Sequence, residues 1–167
     1  MKIKKYIIAI VLIATMGVST ACTINNAKIV DAKINTAVFP KKIRGTWYSG
    51  NGNKTVITPK KYISYDGGHK YVSYLHVRHN NSKMSNKTQN WIYFFDRGQV
   101  NGRRWITIKG WNAMMGFGTH YNVSKLNGHY VLTTAMGEPI SGSSHSYKSL
   151  KLARQLKNQR YSGFKYW

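Results

Sequence analysis

Hydrophobic positions along this chain fall into one unbroken block, a long series of short runs, and one stretch of helical spacing. The block spans 6–18 and is interrupted only by Thr15; Lys2, Lys4 and Lys5 precede it, and Ser19, Thr20 and Ala21 follow. A basic start, a short apolar centre and small residues after it form the order of a secretory signal peptide. The apolar block is well short of the ~20 residues a helix needs to cross a bilayer. The pattern therefore predicts export.

Two cut sites are open. Ser19-Thr20-Ala21-Cys22 fits a lipobox, in which Cys22 carries diacylglycerol and begins the mature chain. Val30-Asp31-Ala32 places small residues three before and one before a cut after Ala32, as signal peptidase prefers. Either way the single cysteine is lipidated or removed, so no free thiol reaches an oxidising exterior. The organisation expected is a leader over 1–32 (or a lipoprotein signal over 1–21), a basic lead-in over 33–44, and one domain over 45–167.

From residue 45 onward, short aromatic and β-branched runs alternate with Gly/Asn turns, which predicts an all-β domain. The runs are 45–49, 54–58, 61–65, 70–78, 91–96, 104–109, 117–123 and 129–134. Asn101-Gly102 and Asn127-Gly128 suit type I′ hairpins, where both central positions take positive φ. Eight antiparallel strands suffice to close a small barrel. Two of the runs are apolar on both faces: Trp91, Tyr93 and Phe95 oppose Ile92 and Phe94, and Trp105 opposes Ile106 and Ile108. Such strands are covered on both sides or expose aromatics for binding.

The stretch of helical spacing offers a cover. Over 146–159, Leu150, Leu152, Ala153 and Leu156 share one arc, while Lys148, Lys151 and Arg154 take the other, with Lys157 at its border. The expected architecture is thus a small antiparallel β-barrel with one C-terminal amphipathic helix.

Charge narrows the function. The 167 residues hold 26 Lys and Arg against 4 Asp and Glu, a formal charge of +22, with 42% hydrophobic and 13% aromatic residues. That apolar fraction argues against wholesale disorder. One cysteine excludes a disulfide framework and a thiolate zinc site. Beyond Ala32 only Asp66, Asp96 and Glu138 remain, and a glycosidase needs two carboxylates across one bond. His76-x-x-His79 suggests a metal, yet residues three apart on a strand point to opposite faces and no acid stands near. Asp96-Arg97-Gly98-Gln99 resembles the Asp-Arg-Gly-His signature of non-specific nucleases, but Gln99 stands where the histidine base belongs and accepts no proton at neutral pH. No catalytic residue, cofactor or metal is expected.

Three resemblances add to this. Gly45-Thr46-Trp47-Tyr48 after a basic lead-in resembles the Gly-x-Trp that opens the first strand of lipocalins. That resemblance implies a barrel whose floor Trp47 closes, under an arginine from near the C-terminus (Arg154 or Arg160), and a small apolar ligand. Phe39-Pro40-x-x-x-Arg44-Gly45-Thr46-Trp47-Tyr48, Ile108-Lys109-Gly110-Trp111 and Tyr147-Lys148-x-x-Lys151-Leu152-Ala153 together are similar to small exported proteins of lactobacilli. This second likeness implies secretion and is silent on ligand. Val100-Asn101-Gly102-Arg103-Arg104-Trp105 with Gly110-Trp111 resembles SH3-like Gly-Trp modules that bind teichoic acids.

Two functions follow. In the first, a cationic monomer is held at the envelope of an exporting bacterium by anionic wall polymers or the membrane surface, through Arg103, Arg104, Lys148, Lys151, Arg154 and Lys157. Nucleic acid suits the same surface, but export reduces it to an encounter outside the cell. In the second, a lipocalin-like carrier takes a small apolar ligand through Trp105, Trp111, Met114, Met115, Phe117 and Tyr121, several of them in an unusually apolar loop at 110–118. Intact mass of the protein recovered from its host is expected to show a chain beginning at Lys33, or a diacylated one beginning at Cys22. A chain retaining 1–18 would refute export with cleavage.

Overall fold

The computed structural model describes residues 38–167; the expected leader, Cys22 and both cut sites lie outside the described residues. Nine strands form one mostly antiparallel sheet: β1 Gly45–Ser49, β2 Lys54–Ile57, β3 Lys61–Asp66, β4 His69–Leu75, β5 Trp91–Val100, β6 Arg103–Gly110, β7 Thr119–Leu126, β8 His129–Met136 and β9 Ser141–Tyr147. A short helix, α1 Leu150–Gln155, follows. Each strand pairs with its neighbour in sequence, and β9 returns to β1 through Tyr48↔Tyr147 and Ser49↔Ser146, so the ladder closes on itself. Only β4 and β5 run parallel, over Tyr74↔Trp91 and Leu75↔Ile92. A parallel pair needs a crossover rather than a tight turn, and residues 76–90 supply it.

The hairpin dipeptides behave as their chemistry dictates. Asn101 and Asn127 sit at φ 51° and 46°, and each is followed by a glycine of positive φ. The eight expected strands are present with shifted ends. β4 stops at Leu75, so His76 and His79 lie beyond it; β5 runs on to Val100 through a bulge at Asp96/Gly98.

Two expectations need correction. Ser141-Gly-Ser-Ser-His-Ser-Tyr forms β9, although it lacks the β-branched residues that mark a strand in sequence. It is stabilised by pairing with β8 along its length and with β1 at its last two residues rather than by its own propensity. The helix expected over 146–159 accordingly shrinks to Leu150–Gln155, because Ser146 and Tyr147 are the rungs that close the sheet. Ser149 caps α1 by accepting from the Leu152 N–H at 3.2 Å.

Directly paired residues share a face, so the register sorts the core. On the inner face Trp47, Ile57, Leu75, Ile92, Phe94, Ile106, Ile108, Tyr121, Val123 and Leu132 pack as one cluster. Phe39 and Ile43, from the lead-in and its 3-10 turn at Lys41–Ile43, fill the end of it; Phe39 is wholly buried and stacks on Phe94 at 5.4 Å.

The outer face is covered three ways. Helix α1 and Tyr161 lie on Val131 and Tyr147, with Tyr48 and Leu126 at the edge. The C-terminal segment places Phe164 on Trp105, which also packs with Ala135 and Ile140. Residues 76–90 cover β5 and the residue after β6: His76 stacks on Trp91 at 3.6 Å, and Arg78 lies over Tyr93 and Trp111. The helix was expected to cover the two-faced strands β5 and β6; it covers β8, β9 and β1 instead.

Replacing Trp47 by Ala is expected to destabilise the fold by about 3–5 kcal/mol, the usual loss for a buried tryptophan. Trp47→Phe, which loses only the indole N–H bond and some area, should cost about 1–2 kcal/mol. Urea unfolding followed by circular dichroism measures both.

Candidate functional site

At the start of β1, Gly45 and Trp47 share the inner face of the closed sheet, whereas Tyr48 lies on the outer face against Val131, Tyr147 and α1. Trp47 is buried and donates from Nε1 to the Ile43 carbonyl at 2.8 Å, tying β1 to the 3-10 turn. Lys148 lies with Nζ 3.4 Å from the Trp47 ring centroid and donates to the Arg44 carbonyl at 3.2 Å. Gly45 has φ 114°, and a Cβ there would meet Lys148 Nζ at 2.8 Å. The residue is therefore glycine for two reasons, conformation and space. The cation expected over Trp47 was Arg154 or Arg160; Lys148 takes that place. Burial lowers its pKa from the usual lysine range.

The remaining basic candidates divide into anchored and free. Arg103 donates to the Ser162 and Gly163 carbonyls at 3.0 and 3.4 Å and lies over Phe164, so it fastens the C-terminal segment. Arg104 is paired with Asp96. Burial alone would raise the Asp96 pKa, but hydrogen bonds from Arg104 and the Gly98 N–H, with the guanidinium charge, outweigh it and hold it low. Lys151, Arg154 and Lys157 are exposed and have no ion-pair or hydrogen-bond partner among the described residues. Spaced three apart, they share one side of α1 and the turn after it.

The three acidic side chains among the described residues are all engaged. Glu138 pairs with Arg97 at 2.5 Å, Asp66 accepts from Asn53 Nδ2 at 2.6 Å, and Asp96 holds Arg104. No acid among the described residues is left to offset the free cations.

The six residues expected to gather around an apolar ligand are dispersed. Trp105 lies outside the sheet under Phe164; Trp111 is outside too, buried under residues 76–90 with Nε1 donating to the Lys83 carbonyl at 2.9 Å. Tyr121 is on the inner face, where its hydroxyl donates to that of Tyr62 at 3.2 Å. Met114, Met115 and Phe117 are solvent-exposed in the turn between β6 and β7.

A different opening was not legible in the sequence. Beyond the Ser49↔Ser146 rung β1 and β9 part, and a cleft of about 710 Å³ opens there. Thr55, Tyr62, Thr134, Ser144 and Ser146 reach it from the inner face, and Lys157 and Arg160 stand at its other side. The Lys157 stem passes so close to Gly50 that a Cβ there would meet it at 2.6 Å. The lining is hydroxyl, amide and cation, without a carboxylate. Its residues come from five strands, the β1–β2 turn and the segment after α1, and the serines of β9 among them carry no distinguishing pattern.

Two of the histidines, His120 and His145, are held in hydrogen-bond networks within the fold. His120 is buried; its Nε2–H donates to the Gly137 carbonyl at 3.2 Å, which leaves Nδ1 to accept from Thr107 at 2.8 Å. His145 bonds Thr133 and Tyr166 at 2.9 and 2.8 Å and packs edge-on to Tyr161 and Phe164. Among the described residues no three His, Cys, Asp or Glu side chains group as a metal site.

Burial lowers the His145 pKa to about 4. Below about pH 6.5 the unfolded chain takes a proton that the folded one refuses, so stability falls as pH drops toward about 4 and no further beneath it. His76 and His120, also lowered by burial, act in the same direction. For His145 the loss is about 2 kcal/mol, allowing for its partial access to water. Urea titrations at neutral and mildly acid pH are expected to show it, and His145→Gln should flatten that part of the profile.

No protein family, characterised protein or solved structure matches this chain.

Proposed function

We propose that this chain is an exported, strongly cationic binding protein, held at the cell envelope by anionic wall polymers or lipids, and that its closed sheet is a small lipocalin-like β-barrel. The observation that carries this reading is the charge arrangement. Every described acidic side chain is engaged by an arginine or an asparagine, while Lys151, Arg154 and Lys157 stand free on α1 and the turn after it, and Lys157 also lines the hydroxyl-rich cleft. A polymer of phosphate and polyol units matches both surfaces: its charge meets the cations, and its hydroxyls meet Thr134, Ser144 and Ser146. Export of the chain would bring it to such polymers, through the leader over 1–32 or a lipid on Cys22.

The alternative, a carrier for a small apolar ligand, draws less support. The apolar part of the inner face is occupied by its own packed side chains, and the part that opens to solvent is polar.

Purified protein is expected to sediment with cell walls at low salt and to be released as salt rises, because phosphate contacts displace counterions. Stripping teichoic acid should remove the binding. Changing Lys151, Arg154 and Lys157 together to Gln should lower the log–log salt slope by roughly 2–3, at about one unit per lost phosphate contact. Wall binding indifferent to salt and stripping would refute the polyanion reading. Tight fatty-acid binding in its absence would favour the carrier.

A further inference from the structure

The turn between β6 and β7 exposes more apolar surface than a loop in water normally does. Met114 and Met115 are 81% and 88% exposed and Phe117 is 58% exposed. Met84, from the crossover segment 76–90, is 45% exposed. These side chains are presented on a fastened base. Trp111 Nε1 donates to the Lys83 carbonyl, Asn112 Nδ2 to the Ser85 carbonyl at 2.8 Å, Thr88 Oγ1 to Asn112 Oδ1 at 2.7 Å, and Arg78 to the Trp111 carbonyl at 2.5 Å. The two segments are therefore one platform.

Its charge is of one sign. Arg78, Lys83, Lys87 and Lys109 belong to the two segments, and neither 76–90 nor 109–118 contains an Asp or Glu. Flexible apolar tips on two joined segments that carry cations and no carboxylate suit a layer that is apolar within and anionic at its surface. We propose that this platform docks on an anionic lipid bilayer, with Met114, Met115 and Phe117 entering the headgroup boundary and the cations meeting lipid phosphates. A second copy is a poorer occupant, because it would bring the same positive charge to the contact. A wall polymer offers phosphate but nothing to receive three bare apolar side chains. Among the described residues no helix is long and apolar enough to cross a membrane. The proposal stands on the exposed apolar residues and is independent of polyanion binding at α1 and the cleft.

The apolar run at 6–18 would itself partition into lipid, so the test reads the platform locally. Full-length chain carrying Cys22→Ser receives an environment-sensitive fluorophore at Met115→Cys or, as a distant control, at Lys151→Cys. With phosphatidylcholine vesicles containing phosphatidylglycerol, the probe at 115 is expected to shift to the blue and to be quenched by spin-labelled lipid, and the probe at 151 to stay in water. Met114→Ser with Phe117→Ser in the labelled chain should raise the lipid concentration for half-maximal shift roughly tenfold or more. Met84→Ser, in the other segment, should raise it less. Circular dichroism confirms that each variant is folded. The proposal is overturned if the probe at 115 remains in water, if 151 responds equally, or if phosphatidylcholine alone serves as well. It is also overturned if the shift appears on concentrating the protein without vesicles, which would assign the face to a second copy. Wall sedimentation of the Met114→Ser, Phe117→Ser chain should be unchanged, which separates this result from the polyanion reading.

Discussion

Closure of the sheet between β1 and β9 rests on two rungs, Tyr48↔Tyr147 and Ser49↔Ser146, and so on whatever holds those strand ends together. Immediately beyond the second strand, Lys148 turns back over Trp47 and donates to the Arg44 carbonyl, while Trp47 fastens β1 to the 3-10 turn through Ile43. Lys148 is an exposed residue whose ammonium is partly desolvated against the indole, and the ring face and a carbonyl oxygen compensate its charge. From this knot the chain can enter α1 only where the outer face of the seam needs covering. The same two rungs set the cleft, since the sheet opens where they end.

Strands apolar on both faces set the second constraint. A closed sheet buries one face against itself, so the other must be covered or left to water. Three unrelated segments provide the covering: α1, the C-terminal segment around Phe164, and the crossover 76–90. The crossover exists because β4 and β5 are parallel, so the one departure from antiparallel pairing also supplies a cover for Trp91 and Trp111. What that cover leaves bare is the row of methionines and Phe117.

Charge is distributed by use. Most arginines are spent on geometry, Arg78 on the Trp111 carbonyl, Arg97 on Glu138, Arg103 on the C-terminal segment and Arg104 on Asp96, while Arg154 stays free. Planar, multidentate guanidinium suits such anchoring. The described lysines are left largely to solvent, Lys148 included although its ammonium is fastened to Trp47 and the Arg44 carbonyl, and a compact charge on a long stem can there meet a mobile anion. The result is a positive surface resting on an internally satisfied frame.

The sequence by itself determined the strands whose residues declare themselves: Gly45–Ser49 to the residue, the Asn-Gly hairpins, the excess of positive charge, and the importance of Gly45 and Trp47. These are local signals, carried by side-chain alternation and by φ. Tertiary structure alone decided β9, the length of α1, the choice of Lys148 over Arg154 or Arg160 above Trp47, and the separation of Trp105, Trp111 and Tyr121 into three environments. Each depends on which distant strand lies alongside. Ser141–Tyr147 is a strand because β8 pairs with it along its length and β1 joins it at Ser146 and Tyr147, and a serine-rich segment has no preference strong enough to announce that beforehand.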